Sequence, residues 1–263
     1  MSQLVKLQDY VSRYENNLYH YQSLFTRIKE NRRKAFKQNK VNQNQNQNAM
    51  HKEFRNKLFT HQMNWATSTV KEISNCDKRF VQDRTLQFLI QEIPDNYLLF
   101  YEPVLQVKNA GVELDVILAG PTDVWLIVWM NGEGIWQEAQ DNKRFWKNVH
   151  SDQKETVLSP IIRLERMNSL VREFWEPYEN QLSIKPCIVA PHAFIDFSND
   201  WRKISYIDKR NFQEWHTQLQ QNPAPIKSQQ LKFVSDLLRI GVTNSLFRKD
   251  PLSNESEFHF EGI

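Results

Sequence analysis

The carboxylate of Asp115 is the group in this sequence that is best placed to do chemistry. It lies in the segment GVELDVILAG, residues 111–120, whose apolar residues predict a strand. A carboxylate at a strand end can bind a hard divalent cation, but such a site needs several oxygen ligands. Glu113 shares the strand face of Asp115, being two residues away, and Glu133 follows in a predicted turn. A turn or capping role for Asp115 is the alternative.

The segment DVWLIVWMNGEG, residues 123–134, has the pattern of a buried strand that ends in a glycine turn. Both of its faces are apolar from Val124 to Met130, as in a strand that is covered on both sides. Val128 offers no ligand atom, and the thioether of Met130 is a poor partner for Mg²⁺. This strand therefore predicts packing in the core and brings no metal ligand to Asp115.

Taken together, these segments resemble the nuclease-related domain (NERD), a branch of the PD-(D/E)xK nuclease superfamily. The family has a strand with an aspartate, a Gly-Pro-type turn, and a strand reading Phe-Val-Ile-Glu-Val-Lys-Asn before a glycine. Asp115 matches the aspartate, while Val128 and Met130 stand where the family has its glutamate and lysine. Further similarities are Asn131 and Gly134 after the lysine position, Ser159 and Arg163 in LSPIIR for the family's Asn and Gln, and IKPCIVA as the next core strand.

The resemblance covers about residues 75–220. It implies an α/β fold with a PD-(D/E)xK-like mixed sheet flanked by helices. Because the glutamate and lysine positions are lost, it also implies a catalytically degenerate domain that binds nucleic acid or a protein and needs no cofactor. The alternative is an active nuclease in which Glu113, Glu133 or another relocated carboxylate restores a Mg²⁺ site.

A basic segment precedes the nuclease-like region. Residues 26–57 contain ten Lys or Arg and two Glu, although the net charge of the whole chain is only +3. Such a stripe is able to contact phosphates, and a solvated helix face is the alternative. The candidate nucleic-acid-binding residues are Arg32, Arg33, Lys34, Lys37 and Lys40, together with Arg163 of the LSPIIR segment.

The N-terminal region carries apolar residues at heptad spacing from Leu4 to Ile28. This spacing predicts a helix whose apolar seam packs against another helix of the chain or against a second copy, as in an oligomeric scaffold. The polar segment VNQNQNQN, residues 41–48, predicts a linker, and a second helix is predicted over residues 50–73. Residues 1–74 are thus interpreted as a basic helical extension.

Residues 75–222 are predicted to form the α/β core, and residues 223–263 a C-terminal helix with a polar tail. Strands are predicted near 98–107, 112–119, 123–130 and 185–190, and helices near 77–93, 160–175, 209–221 and 228–239. No segment approaches the ~20 apolar residues of a membrane span, and the N-terminus has no apolar signal region. Two cysteines distant in sequence, Cys76 and Cys187, favour a reducing, cytoplasmic setting.

Overall fold

The computed structural model describes residues 1–40, 47–149, 154–178, 181–196, 204–244 and 248–249. The chain divides into two compact units. The first contains Met1–Val112 with the described residues from Val234 onward, and the second is Glu113–Phe233. These boundaries differ from the sequence-based ones at 74/75 and 222/223. One reason is a pairing between an N-terminal strand and a strand of the predicted core, which joins both to the first unit.

The described residues form a mixed α/β structure. The helices are α1 (Arg13–Asn16), α2 (Leu18–Lys40), α3 (Gln47–Ala66), α4 (Lys78–Gln82), α5 (Arg84–Glu92), α6 (Pro160–Arg172), α7 (Phe212–Gln220) and α8 (Ser228–Arg239). The strands are β1 (Gln3–Leu7), β2 (Ile73–Ser74), β3 (Leu98–Tyr101), β4 (Val104–Val107), β5 (Ala110–Glu113), β6 (Val116–Ala119), β7 (Asp123–Trp129), β8 (Gly134–Glu138), β9 (Phe145–Val149), β10 (Lys154–Leu158), β11 (Ser183–Ala190), β12 (Ala193–Asp196), β13 (Ser205–Asp208) and β14 (Arg248–Lys249).

The N-terminus differs from the predicted continuous helix. Residues 3–7 form β1, which pairs in parallel with β3, and all five are buried. Helical structure begins only after Ser12, whose side chain accepts from the backbone N–H of Tyr14 in a capping box with Glu15. The prediction of a helix from Leu4 onward is therefore wrong up to Ser12, since residues 4–7 belong to a strand that is covered on both faces and residues 8–12 connect it to α1.

The apolar seam of the first unit is buried within the unit. Leu18 and Phe25 of α2 are 4% and 0% exposed, and Phe25 meets Trp65 of α3 edge to face at 6.3 Å between ring centroids. Leu18 and Phe25 thus pack between helices of one chain, which is one of the two packings that the sequence predicted, while Tyr21 and Ile28 are half-buried. Self-association through Leu4–Ile28 stays a prediction. Of the predicted linker, residues 41–46 lie outside the described residues, and α3 already begins at Gln47.

The second unit contains a mixed sheet with the strand order β6-β7-β11-β13. β7 is antiparallel to β6 and parallel to β11, which is in turn parallel to β13. The interior of β7 is buried from Val124 to Val128, and α6 packs against β7 and β11. This confirms the predicted buried strand near 123–130 and its covering helix near 160–175.

Several predicted elements are interrupted where the backbone turns. The predicted strand near 98–107 is divided at Glu102, which has a positive φ of 48°, and Pro103. The predicted helix near 77–93 is divided at Asp83, which has extended geometry and caps α5 by accepting from Thr85 and Leu86. The two predicted C-terminal helices are confirmed as α7 and α8.

A second, four-stranded sheet was not predicted from the sequence. Its order is β10-β9-β8-β12, and it follows the glycine turn after β7. Gly132 and Gly134 have φ values of 94° and 102°, which side-chain-bearing residues rarely adopt, so the predicted glycine turn is confirmed. Among the described residues, none of the helices has the length and apolar character that crossing a bilayer would need.

Candidate functional site

The side chain of Asp115 is held by an arginine. Asp115 lies between β5 and β6, and Arg163 projects from the first turn of α6, which starts at Pro160 in the favoured first helical position. The guanidinium contacts both carboxylate oxygens: Nε donates to Oδ2 at 3.3 Å, and Nη2 donates to Oδ1. A planar guanidinium matches a carboxylate in this two-point manner.

The ion pair between Asp115 and Arg163 is only partly exposed to solvent. The side chain of Asp115 is 14% exposed and that of Arg163 is 35% exposed. Burial raises the pKa of the Asp115 carboxyl above its ordinary value, Arg163 opposes this rise, and the nearby charge of Glu113 adds to it. Since a buried ionised carboxylate is unfavourable without a partner, Arg163 supplies the positive charge that Asp115 requires.

Val128 and Met130 lie inside the core. Val128 is fully buried and Met130 is 4% exposed, and the backbone N–H of Met130 donates to Val189 of β11 at 2.8 Å. At these positions the nuclease-related pattern has a glutamate and a lysine, whereas this chain presents two apolar side chains. Neither Val128 nor Met130 can supply a carboxylate ligand, and this follows from the residue types alone.

The two other carboxylates considered as relocated ligands, Glu113 and Glu133, are both exposed. Glu113, at the end of β5, is exposed and close enough to Asp115 to influence its pKa. Glu133 is exposed in the glycine turn, where its backbone carbonyl accepts from Asn148. Within the described ranges, no three His, Cys, Asp or Glu side chains are grouped as a metal ion would require.

The predicted basic surface is present on α2 for the side chains that the structure describes. Arg32, Arg33 and Lys34 are all exposed, and Arg33 lies 3.6 Å from Glu30 of the preceding turn. The side chains of Lys37 and Lys40 lie outside the described residues. Arg163, the sixth candidate for phosphate contact, is instead engaged by Asp115, 48 residues away in sequence. Nothing in the local sequence of either residue signals that pairing.

The basic surface also influences a neighbouring histidine. Burial, together with the smaller effect of the charges of Arg32 and Arg13, lowers the pKa of His61 on α3 to about 4. The His61 ring lies 4.7 Å from the ring of Trp65, between centroids. His61 is therefore neutral at pH 7, so the positive charge of this region comes from its arginines and lysines.

Comparison of this chain with protein family models, with curated proteins and with solved structures finds no match in any of the three.

Proposed function

We propose that this chain is a non-catalytic nucleic-acid-binding protein whose second unit is a degenerate, NERD-like nuclease domain. The observation that carries the proposal is the two-point pairing between Arg163 and Asp115. In a nuclease of this type, the equivalent carboxylate would offer its oxygens to a divalent cation. Here a guanidinium binds those oxygens and neutralises the carboxylate without a metal.

The environment of β7 supports the same proposal. A metal-dependent nuclease needs further oxygen ligands and a cation near the attacking water. The corresponding strand positions are occupied by Val128 and Met130, which are buried among apolar neighbours. Introducing charges there would conflict with that packing, because unpaired charges are strongly disfavoured inside a protein.

The binding part of the proposal depends on α2. Arg32, Arg33 and Lys34 are consecutive and exposed. Because consecutive residues leave a helix in different directions, the three side chains spread positive charge over its surface and can contact successive phosphates. Contacts of this kind are made to phosphates and carry no base specificity. The expected ligand is therefore duplex or single-stranded nucleic acid of any sequence.

The test compares two triple variants with the wild-type protein. Arg32→Glu/Arg33→Glu/Lys34→Glu reverses the α2 surface, while Lys71→Glu/Lys78→Glu/Lys108→Glu makes the same change in net charge at other exposed positions of the first unit. Binding to labelled duplex DNA is measured by fluorescence anisotropy over a range of salt concentrations. For the wild type, the logarithm of the association constant should fall linearly with the logarithm of the salt concentration, with a slope of about −0.9 for each phosphate neutralised.

The α2 variant should bind every sequence more weakly and with a shallower salt slope, whereas the control should remain close to wild type. Both variants should keep their melting temperatures nearly unchanged, since exposed charges contribute little to stability. Equal losses of DNA affinity in the two variants would show that net charge alone, and not the α2 surface, determines binding. Binding that is independent of salt, or unaffected by the α2 changes, would eliminate this proposal and favour a protein partner.

A further inference from the structure

Three basic side chains, one from each of the first three helices, converge in the first unit. His61 of α3 packs its ring against the indole of Trp65, at 4.7 Å between centroids. The guanidinium carbon of Arg13, the first residue of α1, lies 5.7 Å from the centroid of the same indole. Arg32 of α2 lies close enough to His61 for its charge to act on the imidazole, as the charge of Arg13 also does. We call Arg13, Arg32 and His61 the Arg-His cluster.

The indole that Arg13 and His61 both contact is fixed by packing. Trp65 is 4% exposed. Three aromatic rings of α1 and α2 lie around it at centroid distances of 6.1, 5.3 and 6.3 Å, namely those of Tyr14, Tyr21 and Phe25. His61 precedes Trp65 by four residues, so both side chains lie on one face of α3. The core of the first unit therefore holds Arg13 and His61 beside one ordered ring.

The carboxylates of the three helices are engaged by other cations. Each helix contains a single acidic residue. All three form ion pairs outside the Arg-His cluster: Glu15 with Lys6, Glu30 with Arg33, and Glu53 with Lys57. Within the part of the chain that the structure describes, neither Arg13 nor Arg32 has an ion-pair partner. The cluster therefore gathers positive charge without a counter-charge from the protein.

Two nitrogens of the Arg-His cluster also lack a hydrogen-bond partner. They are Nε of Arg13 and Nε2 of His61, which are buried and meet no acceptor or donor among the described residues. Buried polar groups are usually hydrogen-bonded, and neighbouring like charges repel one another. The side chains of Arg13 and His61 are half-buried and that of Arg32 is exposed, so the cluster remains in contact with solvent. An anion with several oxygens would satisfy both the charges and the nitrogens.

We propose that the Arg-His cluster binds a phosphate group that has three terminal oxygens. A carboxylate has two oxygens, and a single guanidinium can occupy both of them, as Arg163 does with Asp115. Two guanidinium groups and an imidazole offer donors for a third oxygen, which a phosphomonoester or inorganic phosphate supplies and a backbone phosphodiester does not. A phosphomonoester carries a charge of about −1.5 to −2 at pH 7, which matches the two arginines.

Such a phosphate group can come from the phosphorylated end of a nucleic-acid strand or from free phosphate. Arg32 belongs both to the Arg-His cluster and to the basic surface on α2. A strand whose backbone follows Arg33 and Lys34 can therefore place its phosphorylated end at the cluster. Only this source rests on the proposed function, and the site itself does not.

A bound phosphate should change the protonation of His61. Without it, burial and the charges of Arg13 and Arg32 keep the imidazole neutral at pH 7, with a pKa of about 4. The charged neighbours on the same side of the sequence, Glu15 and Lys57, are held in their own ion pairs. Because an anion favours the imidazolium, phosphate should raise the pKa of His61. A rise of one unit corresponds to about tenfold tighter phosphate binding by the protonated form.

Nuclear magnetic resonance of the histidine rings tests the site with inorganic phosphate as the probe. The His61 signal, assigned through its loss in His61→Gln, should shift saturably with a dissociation constant of roughly 1 mM, whereas sodium chloride at equal ionic strength should not reproduce the shift. Arg13→Gln should weaken phosphate binding at least about tenfold. Arg84→Gln, which removes the same charge at another exposed arginine of the first unit, should leave it unchanged.

The wild-type response tests the site without any substitution, so the outcome does not depend on how well Arg13→Gln folds. A His61 signal that responds to phosphate only as it does to chloride would overturn the proposal. A phosphate response that persists at full strength in a folded Arg13→Gln protein would overturn it as well.

Single-stranded DNA of one sequence, with an internal label and a phosphate at its 5′ end, its 3′ end or neither, distinguishes the two sources. If the strand end is the source, one of the phosphorylated oligonucleotides should bind about tenfold more tightly than the unphosphorylated one, and Arg13→Gln should lose this preference while Arg84→Gln keeps it. Equal binding of the three, together with a His61 response to inorganic phosphate, would assign the site to free phosphate. DNA binding without a phosphate response of His61 would overturn this proposal and leave the proposed function standing, and a phosphate response without DNA binding would do the reverse.

Discussion

Arg163 decides what Asp115 can do, because it binds both oxygens of a carboxylate that burial would otherwise leave in an unfavourable charged state. The sequence made Asp115, Val128 and Met130 recognisable, since their spacing could be compared with a known pattern. It did not indicate the arginine, because the contact joins a strand end to a helix start 48 residues away.

Removing the arginine should destabilise the protein in a pH-dependent way. Arg163→Gln leaves Asp115 without its cation and should lower the free energy of unfolding at pH 7 by about 1–3 kcal/mol, less than for a fully buried pair. Burial already raises the pKa of Asp115, and loss of Arg163 should raise it further. A raised carboxyl pKa favours the folded state at low pH, and that advantage disappears as pH rises through the folded-state pKa.

The deficit of Arg163→Gln should therefore shrink as pH falls from 7 toward 4, because a carboxyl whose pKa is raised takes up its proton more readily in that direction. Urea unfolding at pH 7 and near pH 4 measures it. Arg172→Gln, at an exposed arginine in the last turn of the same helix, should change stability by less than about 0.5 kcal/mol. Asp115→Asn/Arg163→Gln should recover part of the loss. A deficit that is the same at both pH values would show that Arg163 stabilises through packing instead of charge.

The helices and strands that the sequence predicted correctly have an unambiguous repeat of apolar residues. Those that it missed are stabilised by partners distant in sequence. β7 and α6 were predicted because a continuous apolar run and a helical repeat are strong local signals. β1 was not, because Leu4 and Leu7 also fit a heptad, and the decisive partner is β3, almost a hundred residues later. Lys6, buried in β1, is satisfied by Glu15, the carbonyl of Tyr10 and Thr243, a set that no local pattern reveals.

The buried interior of β7 should not tolerate a charged side chain. Val128→Glu, which restores the residue type of the nuclease-related pattern, should lower the free energy of unfolding by about 3 kcal/mol or more, because it places a carboxylate among apolar side chains. Met130→Leu, a change of similar volume, should lower it by less than about 1.5 kcal/mol. Urea denaturation of the two variants beside the wild type measures both effects. A Val128→Glu protein as stable as the wild type would mean that β7 lines a solvated cleft.

For the whole molecule, the strand and helix patterns and the nuclease-related resemblance predicted the α/β class, but the division into units required the strand pairings. The N-terminal region belongs with β3 and the residues from Val234 onward, not to a separate helical extension. The four-stranded sheet β10-β9-β8-β12 was likewise missed, although FWKNV and AFID both alternate between exposed and buried residues. Five- and four-residue segments are too short for their period to identify a strand without its neighbours.

A protein that binds nucleic acid without cutting it is distinguished from a nuclease by a metal-dependent cleavage assay. The purified chain is incubated with end-labelled single- and double-stranded DNA and RNA in the presence of Mg²⁺ or Mn²⁺, at a protein concentration where anisotropy shows binding. The substrates should stay intact, with no cleavage above that of a protein-free control, because Arg163 engages Asp115, and Val128 of β7 and Met130 directly after it stand in place of a ligand and a cation. Metal-dependent cleavage that disappears in Asp115→Ala would contradict this expectation and would establish an active nuclease with relocated ligands.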